Sequence, residues 1–115
     1  MSVASNFAQS LRIALAKLGE DEWAVAHARE AAIQGLSSGD AFESIVEVIA
    51  LAKQQSDPYA FASCCWLALG LARLANTTQQ PAGLEAALAL IEPQGQILGC
   101  TKELAELRAW FRIAA

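Results

Sequence analysis

The chain is 115 residues long, 55% hydrophobic and 17% charged, with a formal net charge of −4. That length allows one domain with a modest core, and its 8 Lys and Arg, scattered among 12 Asp and Glu, exclude a phosphate-tracking nucleic-acid surface. Ordinary domains are about 25% charged, so part of the apolar area is expected to stay uncovered on a single copy.

From Ser5 to Leu18, Phe7, Leu11, Leu15 and Leu18 recur at helical spacing, and Gly19 is expected to stop the helix. Glu20, Asp21 and Glu22 then put negative charge where a helix dipole favours it. A second helix is expected from about Asp21 to Gln34, with Ala24, Ala28 and Ala31 on one face, followed by a turn over Gly35–Gly39. Asp40 with Glu43 has the spacing of a capping box and opens a third helix, whose stripe is Phe42, Ile45, Ile49 and Ala52.

Asp57 is a good N-cap and Pro58 suits the first helical position, so a fourth helix starts there. Tyr59–Ala72 carries no charge, and Arg73 is the only charged residue before Asn76. Those fourteen residues fall short of the roughly 20 that cross a bilayer core. The stretch therefore reads as a core helix, not a membrane span. After a polar connector, 76–80, Pro81 can open a fifth helix with Leu84, Leu88 and Ile91. Pro93, Gly95 and Gly99 make the next segment irregular, and Thr101 can cap a sixth helix carrying Leu104, Leu107 and Phe111.

The expectation is an all-α chain, one domain over 1–115, whose six helices form three antiparallel hairpins at about 5–35, 40–75 and 81–114. Leu18-Gly19-Glu20-Asp21-Glu22-Trp23-Ala24, followed by Ala28 and Ala31, resembles the turn and second helix of a tetratricopeptide repeat. The same rhythm returns around Trp66, Leu69 and Gly70, with Ala82, Ala89 and Pro93 downstream, in a different helix-pairing register. The resemblance implies stacked hairpins in a right-handed superhelix; a compact helical bundle is the alternative. It also implies a groove lined by Gln9, Ile13 and Lys17 of the first helix and Glu43, Val46 and Lys53 of the third. Ile13 stands where the family's carboxylate clamp has an Asn, so that activity does not carry over.

The residues that could do chemistry do not assemble into a motif. Cys64 and Cys65 are adjacent on one helix and point about 100° apart, so they cannot grip one ion together. His27 has no nucleophile motif near it. Glu43 with Glu47, and Glu103 with Glu106, are carboxylate pairs without the Glu-x-x-His of di-metal bundles. No phosphate loop or dinucleotide fingerprint is present. No cofactor and no catalytic role are expected.

The functional expectation is a non-catalytic interaction module that binds a helix or peptide of another protein, as a chaperone or adaptor would. In size and build it resembles the tetratricopeptide-type co-chaperones of bacterial type III secretion. The alternatives are an all-α enzyme or metal-binding bundle using Glu43, Glu47, Glu103 and His27, or a structural subunit of an assembly. Trp110, Phe111 and Ile113, followed by Ala114 and Ala115, make an apolar end expected to meet a partner or a second copy. Three cysteines without a disulfide framework, and no secretory leader after Met1, place the expected protein in the cytoplasm.

Overall fold

A computed structural model describes residues 2–113, and within them the chain is all helical, with six helices and no strands. These are α1 (Val3–Ala16), α2 (Ala24–Ile33), α3 (Ser38–Ala52), α4 (Pro58–Ala75), α5 (Leu84–Ile97) and α6 (Thr101–Trp110). Ala114 and Ala115, the last of the apolar C-terminal residues, lie outside the described residues.

The packing is organised on α4. The Asp57 carboxylate accepts from the Ala60 N–H at 2.9 Å, Pro58 occupies the first turn, and Asn76 ends the helix in the left-handed region at φ 57°. Its 18 residues are long and apolar enough by composition to cross a membrane. Here its apolar sides are taken up by α3, α2 and α6 instead, and Tyr59–Ala72 is buried apart from half-buried Tyr59, Trp66 and Gly70.

α3 and α4 make the most extensive pairing. α1 packs on α2 and α3, α5 on α3 and α6, and α4 on α2 and α6. Odd-numbered helices thus lie side by side over the even-numbered ones. The molecule measures 39 × 34 × 20 Å, and its short dimension equals about two helix diameters of ~10 Å. Its radius of gyration, 13.2 Å, matches the ~13 Å of a compact globule this long.

Several boundaries move from their expected places. α1 ends at Ala16, where the Lys17 N–H turns back to the Ala14 carbonyl, and Gly19 lies in the turn beyond. α3 opens two residues before Asp40 because Ser37 Oγ takes the Asp40 N–H at 3.1 Å. Asp40 sits in the first turn and is not the cap. α5 begins at Leu84, after Gly83 at φ 83°, while Pro81 is buried ahead of it.

The largest departure is in α5, which continues through Pro93 and Gly95. Pro93 costs the helix one hydrogen bond, but its ring lies on the exposed side, clear of the core. Gly95 is buried, and its lack of a side chain serves packing, not turning. A Cβ there would stand 2.6 Å from Leu104 Cδ1 and 3.0 Å from Phe61 Cζ, so glycine alone lets α5 close on α6 and α4.

The C-terminal end is also corrected. Phe111 is 2% exposed and belongs to the core. The Trp110 indole N–H donates to the Thr77 carbonyl at 3.0 Å, Gln80 donates to the Phe111 carbonyl at 3.3 Å, and Ile113 packs part-buried against the core. α6 folds back onto the connector after α4, because its aromatics find apolar cover there and the half-buried Trp110 gains an acceptor for its indole N–H.

Candidate interaction surface

α5 is apolar on two opposite sides. Leu84, Leu88, Ile91 and Gly95 face inward and are buried. At 100° per residue, Ala86, Leu90, Pro93 and Ile97 fall within a ~60° sector roughly opposite. All four are exposed, Leu90 at 51% and Ile97 at 84%. Their 4-3-4 spacing is that of a helix seam awaiting a partner helix.

Two contacts fix how α3 lies beside this row. A Cβ on Gly83 would meet Val46 Cγ1 at 3.9 Å, and the Gln94 side-chain amide donates to the Gln55 carbonyl. Both pairings advance together along the chain, so α3 and α5 are parallel. Asp40, Glu43 and Glu47 are exposed on α3 and also span about 60° of its circumference. None of these carboxylates forms an ion pair among the described residues, where Arg108–Glu92 is the one salt bridge. Glu47 also borders α1, whereas Val46, about 100° further round α3, borders α5, so the carboxylate row leans toward α1 and the apolar row of α5 faces outward on its own.

The groove residues expected from the sequence divide accordingly. Glu43, Lys53, Gln9, Ile13 and Lys17 are exposed and Val46 is half-buried. Glu43 lies in the α3 carboxylate row, and Val46 borders α5 through Gly83. Ile13 and Lys17 turn instead toward α2, lining a surface hollow of about 350 Å³ with Ser10, Asp21, Ala24 and His27. Between α1 and α3 a second hollow, about 230 Å³, is lined by Ala4, Ala8, Glu47, Ala50 and Gln54. Of the C-terminal group, Ile113 lines a furrow of about 370 Å³ between α5 and α6, beside Ala105 and the Arg108–Glu92 pair.

The residues of the enzyme alternative are spread over three helices, with Glu43 and Glu47 on α3, His27 on α2 and Glu103 on α6. Among the described residues no three His, Cys, Asp or Glu stand close enough to hold a metal ion. The cysteines are all buried and unpaired. Burial pushes the Cys64 thiol up to about 12, and burial followed by the neighbouring Cys64, Cys100 and Glu103 raises Cys65 as well. Cys100 is raised by burial and then by Glu103, and its thiol donates to the Pro58 carbonyl at 3.4 Å. Such thiols are poor nucleophiles and poor ligands.

The α5 row is what the sequence reading missed. Its signal is the recurrence of Ala86, Leu90, Pro93 and Ile97, which is visible only once the helix is carried through Pro93. No family model, curated protein or solved structure matches the chain.

Proposed function

We propose that this protein is a non-catalytic interaction module whose α3–α5 face receives a helix of another protein. The observation that carries the reading is the second apolar side of α5, which no part of the chain covers among the described residues. Full burial of such a side chain is worth roughly 1.5–3 kcal/mol, so a docked helix would recover most of that at Ile97, 84% exposed, and about half of it at Leu90, 51% exposed. The alternation of helices between two layers, with α1, α3 and α5 adjacent, supports a stack of three hairpins of the tetratricopeptide kind. In that reading the partner lies across the first helices of successive hairpins. Three reduced cysteines suit a reducing compartment such as the cytoplasm.

The test is a Leu90→Asp/Ile97→Asp double variant. Both side chains are exposed, so the melting temperature should stay within about 2 °C of the parent. A partner co-purified with the parent from its own cells, identified and then reconstituted from purified components, should lose at least tenfold in affinity for the variant. A reconstituted complex that tolerates both aspartates would refute the reading.

A further inference from the structure

We infer that Arg29, laid on the ring of Trp66, is a docking point for a carboxylate of another protein, an Asp or Glu side chain received by Nε and Nη2 of the guanidinium. The site is separate from the α5 row, since it lies between α2 and α4 in the layer of even-numbered helices.

The outward side of α4 builds it. At 100° per residue Tyr59, Trp66, Gly70 and Arg73 fall within a ~60° sector, and they are the residues of 59–73 that are not buried. α2 packs beside this line, and Arg29 reaches from it over Trp66, its Cζ 5.0 Å from the ring centroid. Tyr59 meets the same ring edge-on, with centroids 6.1 Å apart. All three side chains are half-buried.

The guanidinium is a set of donors without an acceptor. Nη1 is shut off from water with no hydrogen-bond partner, and stacking on Trp66 is what offsets the charge. Nε and Nη2 also lack a partner among the described residues, but they are not shut off from water. Together they make one of the flat forks that hold both oxygens of a carboxylate. No rotamer change on α2 or α4 supplies the missing acid. The residues one turn from Arg29 on α2 are Val25, Ala26, Ala32 and Ile33, and neighbouring Glu30 projects about 100° away. α4 carries no acid from Pro58 to Ala75. The Tyr59 hydroxyl and the Trp66 indole N–H are likewise unbonded among the described residues and open to water. They add neutral donors to the cluster.

The single cation selects among anions. A phosphate group carries nearly two charges and is held by clusters of basic residues. Here the next cation along the line, Arg73, stands seven residues or ~10 Å beyond Trp66. An anionic lipid surface asks for roughly 4–8 basic residues together. A free small carboxylate needs a concave site that covers most of it, whereas the principal hollows lie between α1 and α2, α1 and α3, and α5 and α6. One guanidinium beside two aromatic rings on an open helix side suits one carboxylate presented by a protein segment, whose apolar neighbours cover the rings.

The experiment uses three blocked pentapeptides with a central Glu, Gln or phosphoserine, each flanked by Leu. Nuclear magnetic resonance of the whole chain follows the Trp66 indole N–H and the Arg29 Nε–H as each peptide is added. The Glu peptide should shift both signals saturably and bind at least fivefold more tightly than the Gln peptide at low salt. Arg29→Gln, whose fold is checked by its melting curve, should erase the difference between those two peptides. Arg29→Lys keeps the charge without the fork and should weaken the Glu peptide about threefold or more. Leu90→Asp/Ile97→Asp should leave all of this unchanged.

Equal binding of the Glu and Gln peptides, no shift from either, or a preference for Glu that survives Arg29→Gln overturns the inference. Tighter binding of the phosphoserine peptide overturns the carboxylate in favour of a phosphate. Loss of Glu-peptide binding in the Leu90→Asp/Ile97→Asp variant places the peptide on α5 and overturns the site. Sedimentation of the chain alone adds one more outcome: a dimer dispersed by Arg29→Gln would make the carboxylate a second copy's and overturn its assignment to another protein. None of these results bears on whether a helix docks along α5, which the reconstituted complex decides separately.

Discussion

Replacing Gly95 with alanine tests how α5 is held against the rest of the molecule. In an unconstrained helix interior the change stabilises, by about 0.5–1 kcal/mol, because glycine loses the most backbone entropy on folding. At Gly95 the new methyl would sit 2.6 Å from Leu104 Cδ1, 3.0 Å from Phe61 Cζ and 3.1 Å from Phe61 Cε1. Leu104 is 3% exposed and Phe61 is fully buried, so neither can swing into solvent to make room. Overpacking of this kind costs about 1–3 kcal/mol and outweighs the propensity gain. The net expectation is a destabilisation of about 1–2 kcal/mol, a fall in Tm of roughly 5–10 °C. Gly70 provides the control. It lies inside α4, and a Cβ there meets nothing within 4 Å, so Gly70→Ala should raise stability by about 0.5–1 kcal/mol. Urea titration of the two variants followed by circular dichroism gives both signs in one assay. If Gly95→Ala matches or exceeds Gly70→Ala, the close approach of α5 to α6 and α4 is not what glycine provides there.

Asp57→Ala removes the carboxylate that holds the Ala60 N–H and should cost about 1 kcal/mol in a denaturant titration, whereas a loss below ~0.3 kcal/mol would mean water replaces the cap at no penalty. The Cys64 thiol, raised from 9.0 to about 12, ionises at lower pH in the unfolded chain than in the folded one. Its contribution is fully present below pH 9 and is lost as pH climbs from 9 toward 12, about 2 kcal/mol by roughly pH 10.5. Stability measured across that range should fall less steeply in Cys64→Ala than in the parent, and parallel slopes would refute the account.

What could be foreseen from the residues was whatever is decided locally. Asp57, Pro58 and the uncharged run after them specify a capped core helix by side-chain chemistry within a few positions, and α4 has that cap and that burial. The inward stripes of α1, α3 and α5 follow from apolar spacing in the same way. What could not be foreseen depends on distant neighbours. Pro93 and Gly95 break helices in isolation, and here the helix survives them because one faces solvent and the other faces two fixed side chains of α6 and α4. Phe111 read as a partner anchor because it stands with Trp110 and Ile113 in an apolar end; the cover comes from the tertiary core, with the Thr77–Gln80 connector fastening the chain beside it. The surplus of apolar surface was expected at the C-terminus and is found on α5, at Leu90 and Ile97, with further exposed apolar side chains at Ile13, Trp23 and Leu74.

The thinness of the molecule has a dynamic consequence. With only two sheets of rods, there is a single interior seam, and α4 runs along it in touch with α2, α3 and α6. No helix can let go of α4 without opening that seam to water. Amide exchange in α4 should therefore proceed by whole-molecule opening, while the rims of the outer rods breathe on their own. A docked helix on α3 and α5 would reinforce a rim and leave the middle as it was.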